Sequence, residues 1–280
     1  MFDNIKLEKD KYYFLSPFGL GDTMILCGFK NKIEAQLDGQ IVFIVKPSHK
    51  IIMKMYGIKN YILLKSNQRF DFNNKTLSDL TKASSYPQKG MIFVAHWGFF
   101  PEYKELFDYQ INNKTFTFLD AYKLFFHLNW NTELEQPGWL PSVTPEIQNK
   151  LPINAKISNL VIFIPEAHSI SSVSNIFWLN LQDKLKKQKL DIYTAVSDSK
   201  NKIYGIPNID LSIEELLAIS LHCHSVYTLR NGLCDLISSK DKNLYVIYPD
   251  INTYYYFRLK TIFPDTTANE VIMRGKDYGF

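Results

Sequence analysis

The sequence predicts an α/β protein made of two small parallel-sheet domains that face each other across a cleft. Short runs rich in β-branched and aromatic residues alternate with longer stretches of helical periodicity, which is the pattern of parallel βαβ units. That alternation stops in the stretch from Asn131 to Asn159, which holds four prolines and little periodicity, and then restarts. The expected division is residues 1–150 as one Rossmann-like domain and 151–280 as a second.

In the first half, Tyr12 to Ser16 reads as a strand and Asp22 to Leu37 as a helix. Gln40 to Val45 is the next strand, followed by a helix around His49 to Tyr56 and a strand from Tyr61 to Leu64. Met91 to Ala95 is a fourth strand, and the apolar run Leu119 to Leu128 is a helix. In the second half, Leu160 to Pro165, Leu190 to Val196, Ser225 to Arg230 and Asn243 to Pro249 read as strands. Between them lie helices over Asn175 to Lys187, Ser212 to Leu221 and Gly232 to Ser238. The second of these opens on a capping box, Ser212-x-x-Glu215.

Composition narrows the functional classes. With 280 residues and a hydrophobic fraction of 46%, the chain can bury ordinary cores and is neither fibrous nor disordered in character. Its 32 basic and 28 acidic residues are spread along the chain, so nucleic acid is not an expected partner. Cys27, Cys223 and Cys234 have no framework spacing and fit a reducing cytoplasm. The N-terminal residues carry acids and lack a long apolar stretch, so no secretion signal is expected. The longest apolar run, Met91 to Phe100, falls well short of the roughly 18 residues that suggest a membrane span.

In open parallel sheets ligands bind beyond the carboxyl ends of the strands, so the turns there are the candidate sites. The first is Phe14 to Leu26, "FLSPFGLGDTMIL". Gly19 and Gly21 are expected to permit a tight or positive-φ turn and close approach of a ligand. Asp22 is either a helix cap or an acid for an acceptor hydroxyl. The Gly-Leu-Gly before it favours the second role. The next candidate, "IFIPEAHS", offers Glu166, His168 and Ser169 for sugar or phosphate. The third, "TLRNGLCD", delivers Arg230 at a strand end, then Asn231 and Gly232 in the turn, with Asp235 in the helix beyond. An arginine beside a helix N-terminus suits phosphate oxygens. His96, after the fourth strand, is a further candidate on the acceptor side, weighed against a rim or core histidine beside Trp97.

These residues carry a resemblance. "GLGDTMIL" looks like the Gly-Asp turn that opens heptosyltransferase-type glycosyltransferases of the GT-B fold, the ADP-heptose transferase superfamily. The stretch from Ile209 to Ser238 is similar to that superfamily's C-terminal run. Where heptosyltransferases usually read Asp-Thr-Gly-x-x-His, this chain has Arg230, Asn231, Gly232, Leu233, Cys234 and Asp235, a turn more like that of bacterial surface-polysaccharide glycosyltransferases. Asn175 precedes Trp178 where heptosyltransferases usually place a lysine, so ADP-heptose as donor is not implied. Gln68 to Pro152 matches no motif.

The resemblance implies a metal-independent GT-B enzyme without cofactor, moving a sugar from a nucleotide-sugar donor to a hydroxyl of a bacterial surface glycan such as capsule or lipopolysaccharide. Asp22 would be the general base if the reaction inverts, with Gly19, Gly21 and His96 on the acceptor side. Glu166, His168, Ser169, Arg230, Asn231, Gly232 and Asp235 would face the donor. The acceptor would be a glycan or lipid-linked saccharide. The aromatic-basic stretch Tyr254 to Lys260 is expected either to touch a membrane surface or to pack between the domains. A nucleotide-sugar epimerase of the same fold and a non-catalytic nucleotide- or glycan-binding protein are the rival readings. His222-Cys223-His224 lacks a second cluster with ligand spacing, so no metal is expected there.

Overall fold

The computed structural model describes residues 5–66, 75–153, 155–167, 170–238 and 243–273. The chain divides into two compact units, Met1–Trp139 and Leu140–Phe280. The division falls inside the proline-bearing stretch.

The first unit carries a four-stranded parallel sheet. Its strands are β1 (Tyr12–Leu15), β2 (Ile41–Val45), β3 (Tyr61–Leu63) and β4 (Ile92–Val94), in the order β3-β2-β1-β4. Leu15 pairs with Ile44 on one side and Val94 on the other, so the chain leaves three adjacent strands at one edge of the sheet. Helix α1 (Leu20–Leu37) follows β1, and α2 (Lys50–Met55) follows β2. Helices α3 (Lys75–Ala83), α4 (Pro101–Asn112) and α5 (Phe118–Phe125) complete the unit. Neither α3 nor α4 was legible in the sequence; α4 starts with Pro101 at a position where a missing N–H costs nothing. The helix expected over Leu119 to Leu128 ends early, because the backbone turns left-handed at His127.

Helix α1 does not show a single apolar stripe. Residues Thr23 to Phe29 are buried on every side, as in a helix enclosed by its unit. Gly28 permits one of the enclosing contacts: Glu135 N–H donates to its carbonyl at 3.1 Å, and an added Cβ would lie 2.6 Å from Leu134 Cδ1. Across the sheet, Phe14 meets Phe93 and Phe126 with ring centroids 5.4 and 5.7 Å apart, and Phe93 stacks on Phe125 at 5.7 Å. These rings give the unit an aromatic core of the kind that gains from offset and edge contacts.

The second unit begins with the short helix α6 (Pro145–Asn149), capped by Thr144. Its sheet joins β5 (Leu160–Ile164), β6 (Asp191–Thr194), β7 (Ser225–Leu229), β8 (Leu244–Tyr248) and β9 (Asn269–Ile272), all parallel, in the order β6-β5-β7-β8-β9. The crossover helices are α7 (Asn175–Lys186), α8 (Ile213–Ser220) and α9 (Gly232–Ser238), followed by α10 (Ile251–Phe257) and α11 (Leu259–Ile262). The capping box forms as expected: Ser212 N–H donates to the Glu215 carboxylate, and Glu215 N–H donates to Ser212 Oγ. Phe163, Phe177, Trp178, Tyr227 and Leu229 pack together in its core. Edge strand β9, only partly buried, lacks the apolar run that would have announced it.

After β8, Tyr254 packs against residues of its own unit. Tyr254 meets Tyr248 edge-on at 5.1 Å, and the Arg258 guanidinium lies 5.3 Å from the Tyr254 ring. Among the described residues no helix is long and apolar enough to cross a membrane.

Candidate functional site

In the first unit the parallel register does most of the assembly. Because β1 and β4 are neighbours ending at Leu15 and Val94, the turn leaving β1 and the residues leaving β4 meet at one sheet edge. Gly19 is the N-cap of α1, with φ −91° and ψ −177°, an ordinary extended conformation. Gly21 lies buried in the first helical turn, and neither glycine has positive φ. Of the tight or positive-φ turn expected at these glycines, the positive-φ alternative is corrected.

Asp22 completes the capping box of α1 and also meets two side chains from elsewhere in its unit. Its Oδ2 accepts the Gly19 N–H at 3.1 Å, as an acid at the third helical position does for the cap residue. Its Oδ1 accepts the hydroxyl of Tyr122, from α5, at 2.8 Å. His96 Nε2 lies 3.5 Å from the same oxygen. The side chain retains 19% of its exposure, whereas His96 retains 6%. Burial alone would raise the carboxyl's pKa, but His96, Tyr122 and the Gly19 N–H together hold it below the ordinary value. The site thus contains a carboxylate that is anionic and reachable.

Beneath this turn is a buried polar chain. Thr23 Oγ1 lies 2.6 Å from Ser16 Oγ and 2.7 Å from His49 Nδ1, and donates to the Gly19 carbonyl at 3.2 Å. Lys46, buried at the end of β2, donates to the Phe18 carbonyl at 2.7 Å. Burial and the Lys46 charge push the His49 pKa down to about 4, against a smaller upward pull from Asp22. His49 is therefore neutral near pH 7. The chain from Ser16 to His49 anchors both ends of the loop that presents Asp22.

Sequence reasoning missed Tyr122, Thr23, His49 and Lys46. Tyr122 looked like one more ring in an apolar helix, and its only polar signal was the hydroxyl. His49 and Lys46 flank a Pro-Ser pair directly after β2, so a strand-end search extended to β2 would have found them.

In the second unit the third candidate turn leaves β7. Arg230 is buried and makes a two-point ion pair with Asp235, at 2.7 and 3.1 Å. Its Nε donates to the Phe257 carbonyl at 2.8 Å and Nη1 to the Asn231 carbonyl at 2.7 Å. Burial works against the guanidinium's charge, but the Asp235 carboxylate outweighs it and the pKa is raised. A guanidinium so employed ties the β7–α9 turn to the end of α10, a different use from the anion contact that the sequence suggested.

Asn231 is also committed to the turn. Its Oδ1 accepts the N–H groups of Leu233 and Cys234, at 3.0 and 3.3 Å, and its Nδ2 donates to the Glu166 carbonyl at 2.8 Å. Gly232 is the first residue of α9. The Glu166 carboxylate accepts from the Ser197 N–H and Oγ, the Asp198 N–H and Asn201 Nδ2, at 2.8 to 3.1 Å. Burial raises its pKa, but these four donors bring it below the ordinary value. Glu166 and Asn231 thus bind the loops after β5, β6 and β7 together. His168 and Ser169 lie outside the described residues. Cys223 of the His-Cys-His stretch is buried, its Sγ directed at the carbonyls of Ser220 and Ser225.

No family model matches the chain, and no curated protein is similar to it in sequence. Solved structures do resemble it. The glycosyl transferase family 9 protein from Veillonella parvula superimposes with a TM-score of 0.59 at 11% identity, over 98% of this chain and 90% of that one. The ADP-heptose LPS heptosyltransferase II of E. coli gives 0.57 at 12% identity, over 95% and 91%. E. coli heptosyltransferase WaaC, solved with ADP, gives 0.52 at 9% identity, over 96% and 95%. The chain therefore shares the α/β fold of heptosyltransferase-type glycosyltransferases, along nearly its whole length.

Two outcomes follow from the geometry. Arg230→Ala removes the two-point partner of the buried Asp235 carboxylate and should cost about 3–5 kcal/mol of stability, read by chemical denaturation. Replacing both partners, Arg230→Met with Asp235→Leu, should recover most of that loss. For His49, the neutral form is favoured by folding, so the unfolded state binds more protons between its ordinary 6.5 and about 4. Stability should fall by about 3 kcal/mol as pH drops through that window, and His49→Asn should flatten this slope in urea titrations at pH 4 to 7.

Proposed function

We propose that the protein is a glycosyltransferase of the GT-B class, with the first unit serving the acceptor and the second the nucleotide-sugar donor. The observation that carries this reading is Asp22: a partly exposed carboxylate at the carboxyl end of a parallel sheet, held anionic by three donors. Proton abstraction from a hydroxyl needs a base that is ionised and within reach. The shared fold supports the class, since the solved relatives are glycosyltransferases and WaaC was solved with ADP.

In this reading Asp22 takes the proton of the acceptor hydroxyl as that oxygen attacks the anomeric carbon. The bond from that carbon to the diphosphate breaks, and the nucleoside diphosphate leaves with the electron pair. The donor's diphosphate is assigned to the turn after β7, around Asn231 and Gly232, at the carboxyl end of the second sheet. Arg230, Asp235 and Glu166 contribute by fixing the shape of that turn. The acceptor is proposed to be a hydroxyl of a bacterial surface glycan.

The test is a screen of UDP-, GDP-, ADP- and CMP-sugars by thermal shift, followed by assay of free nucleotide with and without mixed glycan acceptors. One nucleotide class should raise Tm, and nucleotide release should depend on acceptor. Release or isomerisation of the donor alone would favour the epimerase reading, and binding without turnover would favour a binding protein.

A further inference from the structure

His96 is more than a rim histidine. Its Nδ1 accepts the Gly98 N–H at 2.9 Å, inside the turn that follows β4. A nitrogen that accepts a hydrogen bond cannot carry a proton of its own, so the ring's hydrogen is on Nε2. That Nε2–H faces Asp22 Oδ1 across 3.5 Å. The imidazole is fixed from its other sides by rings: Phe18 edge-on at 4.3 Å, Tyr122 edge-on at 5.4 Å and Trp97 stacked at 5.0 Å.

The two carboxylate oxygens of Asp22 are then unequal. Oδ1 faces two side-chain donors, His96 and Tyr122, whereas Oδ2 takes the Gly19 N–H. A Cβ at Gly19 would meet Oδ2 at 3.7 Å, an ordinary van der Waals contact, so Oδ2 lies beside the N-cap backbone.

We infer that His96 is a positioning residue for Asp22: locked as the Nε2–H tautomer by the Gly98 amide, it orients Oδ1 and leaves Oδ2 as the atom that receives the acceptor's proton. This rests on the reading of Asp22 as the base, but its test does not need turnover. Among the described residues, the titratable groups that act on Asp22 are His96 after β4, Tyr122 on α5 and His49 after β2, the last beside Lys46.

The experiment is NMR on the whole chain: 15N shifts of the His96 ring and a 13C titration of the Asp22 carboxyl, in the wild type, His96→Gln and His96→Phe. His96 should show the Nε2–H tautomer at neutral pH. His96→Phe keeps a ring but no donor, and should raise the proton affinity of Asp22 roughly three- to tenfold. In His96→Gln the amide nitrogen reaches the place of Nε2, and the titration should stay within about threefold of wild type. An Nδ1–H or doubly protonated ring at neutral pH, or the same Asp22 midpoint in all three proteins, would overturn the inference. If His96→Phe does not fold, the wild-type tautomer decides, and a failed Asp22 base role would show separately as unimpaired turnover of Asp22→Asn.

Discussion

The parallel pairing of β1 with β4 is the constraint on which the candidate site depends. Two parallel neighbours deliver their following turns to the same edge, and with Leu15 beside Val94 the β1 exit carrying Asp22 lies beside the β4 exit carrying His96. A one-residue slip in β4 would reverse the faces its residues present and remove His96 from the carboxylate. The aromatic contacts of Phe14 with Phe93 and Phe126 lie under this pairing, so core packing and site geometry are one problem.

The second unit solves a similar problem with polar bonds. Its loops after β5, β6 and β7 are held by Glu166, Asn231 and the Arg230–Asp235 pair, most of whose hydrogen-bonding capacity is spent inside the protein. A buried ion pair contributes little net stability, but losing one member is expensive. Such a pair fixes a turn in one conformation.

Much of this was legible in the sequence because strand-helix alternation is a local signal. All four strands expected in the first half and all four in the second are present, and the capping box at Ser212 forms as its spacing implies. The misses have physical causes. Edge strand β9 is not apolar enough to be seen, and the exit of Leu119 to Leu128 depends on a left-handed residue at His127. At the site, Asp22 and His96 were visible as polar residues at strand ends. Their meeting, and the part of Tyr122 in it, depends on which strands are neighbours. Arg230 shows the converse: a residue type suited to phosphate was already paired, with an acid five residues on that the sequence had placed beside the ligand as well.

The central claim is that Asp22 removes a proton during glycosyl transfer, and the most direct measurement is single-turnover nucleotide release by Asp22→Asn with saturating donor and acceptor. An amide retains the carboxylate's size and can still accept from Tyr122, so the variant should fold and bind the donor as the wild type does. The rate should drop by about 10² or more, because general-base assistance is typically worth about 10² to 10⁴. A near-wild-type rate from folded Asp22→Asn would reduce this carboxylate to a helix cap and contradict the account.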